Sequence, residues 1–151
     1  MTDDLFALAL DLIDTRKPKL KQIALRKAVS AAYYGLFHAL LTMLADTIAG
    51  KGKSRTPEYA AIYRIPDHGP LLRTLLDNKD RDVQAVASIL KSLQEQRHTA
   101  DYNPLPFKMG RQAARDLISD AKKAASAIAQ FKPQQRLAIT AALLSAKRRS
   151  P

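Results

Sequence analysis

The chain of 151 residues has no cysteine, which removes both a disulfide framework and a thiolate metal site and suits a reducing compartment. Glycine is scarce, at 5 residues, and neither a glycine-rich phosphate loop nor a Gly-x-Ser-x-Gly elbow occurs. The 3 histidines (His38, His68 and His98) never fall at metal-ligand spacing, and His-Glu-x-x-His is missing, so neither a metal nor another cofactor is expected. The opening residues carry Asp3 and Asp4 where a signal peptide carries a basic start and an apolar stretch. The most apolar run, Ala31 to Ala45, includes His38 and is shorter than a bilayer crossing requires. These absences lead us to expect a cytoplasmic protein with no membrane partner. No useful length alternates with a period of two, which argues against strands, and there is no internal repeat. Acidic residues are also absent beyond Asp120.

What is present begins with apolar content of 46%, enough for a packed core in a chain long enough for one ordinary domain. Twenty-five Lys and Arg against 14 Asp and Glu leave a net charge of +11. The excess gathers at the end, in Lys122, Lys123, Lys132, Arg136, Lys147, Arg148 and Arg149. A basic surface of this kind attracts polyanions by long-range fields and counterion release, although charge can also serve solubility alone. If the basic end forms part of a binding site, it contributes a sequence-independent, salt-sensitive component.

Apolar residues recur at helical spacing almost throughout. Leu5, Phe6, Leu8, Ala9, Leu12 and Ile13 predict a first helix with Thr2 or Asp3 as N-cap. Pro18 breaks it and suits the first turn of the next. A stripe through Leu20, Ile23, Ala24, Ala31, Tyr34, Phe37, Leu41, Leu44 and Ile48 predicts a long second helix to about Ala49, followed by a mobile loop from Gly50 to Ser54. Pro57 to Ile65 reads as a short helix and Leu71 to Leu76 as a brief helical turn, with Pro66, Gly69 and Pro70 between them. Asp80 or Asp82 opens a helix with Val83, Val86, Leu90 and Leu93 inward, stopped by Pro104 and Pro106. Phe107 starts another long helix through Ala114, Leu117, Ile118, Ala121, Ala125 and Ile128, which Pro133 ends. The expected architecture is all-α: a four-to-five-helix, mostly up-and-down bundle over residues 1–131. Residues 132–151 then form a basic tail or a short extra helix from Leu137 to Lys147.

Two groups of residues could carry chemistry. Continuing the inner stripe past Leu93 reaches Arg97, a charge on an apolar face that needs a partner, and Asp101 four residues on is the candidate. Such a pair either ties the helix end to the bundle or presents Arg97 as a phosphate ligand at the mouth of a cleft. On the second helix Arg26, Ser30, Tyr33 and Phe37 share one face, with Tyr34 and His38 along its edge. Arginine, serine and tyrosine together suit phosphate contacts and base stacking. Tyrosines on an amphipathic helix also serve as core with their hydroxyls at the rim, and His38, in an apolar run, reads first as a satisfied core histidine.

The stretch Arg26-Lys-Ala-Val-Ser-Ala-Ala-Tyr-Tyr-Gly-Leu-Phe-His-Ala-Leu-Leu, followed far downstream by Arg97-His-Thr-Ala-Asp-Tyr102, resembles the HEPN superfamily, the higher eukaryotes and prokaryotes nucleotide-binding domains. The Arg-x-x-Ala-Asp-Tyr ending is most similar to its small stand-alone bacterial branch, and the likeness extends over about Leu5 to Phe131, with His68 in a His-Gly loop. The resemblance implies a helical bundle that forms homodimers. It also implies, for nuclease members, a metal-independent RNase site built on Arg-x(4–6)-His. The motif arginine corresponds to Arg97, but the positions where the histidine would fall hold Tyr102, Asn103 and Pro104. A phenol titrating near ~10 is a poor base at neutral pH. Arg64 and His68 form a similar pair one residue too short.

Three readings follow. The first is an HEPN-like module binding RNA or nucleotide through Arg97, Asp101 and Tyr102, with a nucleotidyltransferase or toxin–antitoxin system as its setting. The second is a divergent metal-independent endoribonuclease in which His98 or His68 replaces the missing histidine. The third is a helical protein-interaction domain. Presence of the arginine and absence of the histidine favour binding without the usual cleavage.

Overall fold

A computed structural model describes residues 1–16 and 20–147. The proposed proline boundary at Pro18 and the terminal Arg148 and Arg149 lie outside the described residues, as does the side chain of Lys147. Among the described residues there are seven α-helices and no strand: α1 (Thr2–Ile13), α2 (Lys21–Ala49), α3 (Pro57–Tyr63), α4 (His68–Leu76), α5 (Arg81–Tyr102), α6 (Arg111–Ala129) and α7 (Pro133–Lys147). The all-α expectation holds.

Helix α2 is the axis of the molecule. Its 29 residues pack against α1, α5 and α6, with α3 and α7 also touching it, so it buries residues around most of its circumference. By length and composition α2 could cross a bilayer, since the helix extends well beyond the apolar run seen in the sequence. In this fold most of that stretch is covered by the other helices. The stripe expected for α2 is too narrow at its middle and too long at its ends. Leu25, Ala28, Val29, Ala32, Leu36 and Leu40 are buried as well, whereas Leu20, Ile23 and Ile48 are exposed. The ends stand clear because no helix packed on α2 is as long as it is.

The approach of α1 depends on Gly35. A Cβ there would lie 2.9 Å from a ring carbon of Phe6, whose side chain is itself buried. Overpacking of this kind costs roughly 1–3 kcal/mol, against roughly 1 kcal/mol returned by alanine as a helix former. We therefore expect Gly35→Ala to destabilise by about 1 kcal/mol despite its better propensity, measured by urea denaturation. A gain in stability would show that Phe6 can move aside.

Local chemistry explains most boundaries. Gly50 leaves α2 at φ 85°, a left-handed conformation that glycine adopts without steric cost. The Gly50–Ser54 segment contains a single 3-10 turn, Lys51–Lys53. Thr56 caps α3 by accepting the Tyr59 N–H, with Pro57 in the first turn. Asp80 caps α5 by accepting from Asp82 N–H and Val83 N–H. Neither Thr2 nor Asp3 caps α1, which already includes both residues; Asp3 and Asp4 instead sit in its first turn, where negative charge suits the dipole.

Three elements differ from their sequence expectation. The brief turn at Leu71 is a nine-residue helix that begins at His68 behind Asp67. Phe107 is buried but precedes α6, which starts only at Arg111 after Gly110. Pro133, expected as a stop, also opens α7, whose Ile139 and Leu143 belong to the same core as α2. Gln135 at the start of α7 donates its amide to Asp80 and Asp82, which ties α7 to the cap of α5.

Candidate functional site

The buried row Val83, Val86, Leu90 and Leu93 on α5 leads, as its spacing requires, to Arg97. The Arg97 side chain is 18% exposed, and its Nε donates to Asp101 Oδ2 at 3.3 Å. Asp101 also accepts the Ser30 hydroxyl at 2.8 Å and lies 3.7 Å from Lys27 Nζ. The guanidinium carbon of Arg97 stands 5.0 Å and 4.9 Å from the ring centroids of Tyr33 and Tyr34, which meet edge to face. A half-buried cation is thus held by one carboxylate and two aromatic faces, which offsets its desolvation.

The Tyr33 hydroxyl shares a 2.6 Å hydrogen bond with His68 Nδ1, and the His68 ring stacks on Phe37 at 4.0 Å. His68 reaches this position because it is the first residue of α4. The cluster therefore unites the N-terminal half of α2, the start of α4 and the end of α5. Burial pushes the Tyr33 phenol up to about 12, with the Arg97 charge opposing it. Burial, and then Arg97, push His68 below the usual histidine range. At neutral pH the site thus presents one fixed cation beside a neutral phenol and a neutral imidazole.

A consequence for stability follows. His68 binds a proton less readily folded than unfolded, and burial acts in the same direction on His38. Their contribution is complete above the unfolded value of 6.5 and is lost as pH falls below it. We expect the melting temperature to fall between about pH 7 and about pH 5, and to fall less in His68→Gln. An unchanged slope in that variant would place the titration elsewhere.

The other residues singled out by sequence divide clearly. Arg26 is not in the cluster. Its guanidinium donates to the carbonyls of Thr99, Ala100, Asn103 and Leu105, at 3.3, 2.6, 2.9 and 2.5 Å, and lies over the Phe107 ring. It closes the C-terminal end of α5, where helix carbonyls otherwise lack partners. His38 pairs through Nδ1 with the Tyr63 hydroxyl at 2.6 Å, a satisfied, half-buried histidine. His98 and Tyr102 are exposed and lie against each other, with ring centroids 5.1 Å apart.

Sequence reading missed Lys27, which completes the charge around Asp101, although its spacing of three from Ser30 puts it on a neighbouring face. It also missed Tyr63, whose contact with α2 arises only through the tertiary fold. Among the described residues, no group of three or more His, Cys, Asp or Glu side chains is arranged to hold a metal ion. A cleft of about 950 Å³ between α4 and α7, and one of about 390 Å³ beside α1, α2 and α6, include neither Arg97 nor Asp101. Chemically, the cluster can hold an anion against a preorganised guanidinium with a second cation alongside. No family model, curated protein or solved structure matches the chain.

Proposed function

We propose that this chain is an HEPN-like helical protein that binds RNA, or a nucleotide, by its phosphates at Arg97 and Lys27, without the family's usual Arg–His cleavage. The observation that carries the reading is the placement of Arg97. Its Nε is held by Asp101 and its guanidinium lies over the rings of Tyr33 and Tyr34, which aims the fork before any ligand arrives. Lys27, with 64% of its side chain exposed, supplies a second cation on the same carboxylate. The net charge of +11 attracts a polyanion. A cytoplasmic homodimer serving a toxin–antitoxin or nucleotidyltransferase system is the setting proposed with it.

A second reading has its own support. His68, unlike His98, adjoins Arg97 through Tyr33 and is neutral at pH 7, the state a general base needs. In that reading His68 replaces the missing motif histidine in a divergent metal-independent ribonuclease.

One experiment separates the readings: incubation of the protein, with EDTA, on labelled RNA oligonucleotides, scored for mobility shift and cleavage together. A shift without cleavage is expected. Cleavage that disappears in His68→Ala would move the assignment to the ribonuclease, and neither signal would leave a protein-interaction bundle.

A further inference from the structure

We propose that the end of α5 is a stacking platform for an unpaired base, with Tyr102 as its ring surface, so that the RNA taken by this chain is single-stranded. The proposal rests on the reading of Arg97 and Lys27 as phosphate contacts. Tyr102 and Leu105 are each 67% exposed, and the exposed His98 ring lies beside Tyr102. Two rings in contact thus face solvent at the end of α5, and the exposed Leu105 follows Tyr102 by three residues.

The backbone behind them is fixed. Arg26 donates to the carbonyls of Asn103 and Leu105, and the Leu105 N–H donates to Asn103 Oδ1 at 2.9 Å. Phe107 is buried immediately after. Tyr102, the last residue of α5, is therefore followed by a pinned backbone, so its exposed ring stands on a fixed base.

Charge identifies the occupant. Tyr102 follows Asp101, the carboxylate that holds both Lys27 and Arg97, so ring and cations occupy adjoining faces of one helix end. Phosphate on the cations and base on the ring is the division of labour by which single strands are bound. A duplex keeps its bases stacked on each other and offers the ring no free face.

The test measures anisotropy of one labelled oligoribonucleotide, alone and paired with its complement, against wild type, Tyr102→Ala, Tyr102→Phe and Arg97→Ala. Wild type is expected to prefer the single strand. Tyr102→Ala should weaken that complex about tenfold and leave the duplex unchanged, while Tyr102→Phe stays close to wild type. Equal affinity of Tyr102→Ala and wild type for the single strand would overturn the platform. If Arg97→Ala still weakened binding in that case, the phosphate reading would stand without it. Dissociation of a dimer by Tyr102→Ala, with single-strand affinity unchanged, would assign the end of α5 to a second copy instead. Absence of binding by wild type to either form would remove both proposals.

Discussion

Arg97→Ala is expected to weaken RNA binding by about 10- to 100-fold while the protein stays folded, because hydrogen bonds to charged groups contribute roughly 1.5–3 kcal/mol and about 1.4 kcal/mol is tenfold. The fold should survive because Asp101 is not left alone. Ser30 still donates to it, and Lys27 remains 3.7 Å away. Tyr33 keeps its bond to His68 and its place in the core. Arg97→Lys should recover only part of the affinity, since lysine keeps the charge but not the planar fork between two rings. Circular dichroism on the same samples distinguishes a lost ligand contact from a lost fold. Global unfolding of Arg97→Ala would mean that the Arg97–Asp101 pair is chiefly a structural tie.

Arg26→Ala should do the reverse, lowering stability by about 2–3 kcal/mol with its effect on RNA secondary to that loss. One guanidinium serves four carbonyls at the end of α5 and covers the Phe107 ring. Removing it exposes helix-end carbonyls and frees the segment that carries Tyr102 and Leu105. Arg26→Lys should cost nearly as much, because a single ammonium cannot reach four acceptors arranged around a helix terminus. Urea denaturation reads the difference directly. A loss below about 0.5 kcal/mol would show that water satisfies those carbonyls equally well.

These two arginines show what was legible in the sequence and what was not. Arg97 could be read because its neighbours are local: the apolar row leads to it, and Asp101 is one helical turn away. The sequence pattern groups Arg26 with Ser30 and Tyr33, since all three lie on one side of α2. Its partners are the carbonyls of Thr99 to Leu105, and backbone groups leave no mark in a residue pattern. The Ser30–Asp101 bond joins residues 71 apart, and the Tyr33–His68 bond joins residues 35 apart. Only the packing of α5 against both α2 and α4 brings them together.

Helix boundaries followed the same rule. The cap at Asp80 and the stop before Pro104 rest on local chemistry and were readable. The start of α4 was not, because Pro66, Gly69 and Pro70 are turn formers that here surround and enter a helical first turn. The approach of His68 to Tyr33 depends on its being the first residue of α4. Pro133, whose sequence reading is a stop alone, also stands first in α7, and Ile139 and Leu143 in the core explain why a helix follows it.

The most direct test of RNA binding at the Arg97 surface is the affinity of wild type and Arg97→Ala for one short oligoribonucleotide across a salt series from about 50 to about 200 mM. For wild type, the logarithm of the association constant should fall linearly with the logarithm of salt concentration, and in Arg97→Ala the slope should be shallower by about one counterion. Identical slopes and affinities in the two proteins, or no binding by wild type at the lowest salt, would contradict a phosphate site at Arg97.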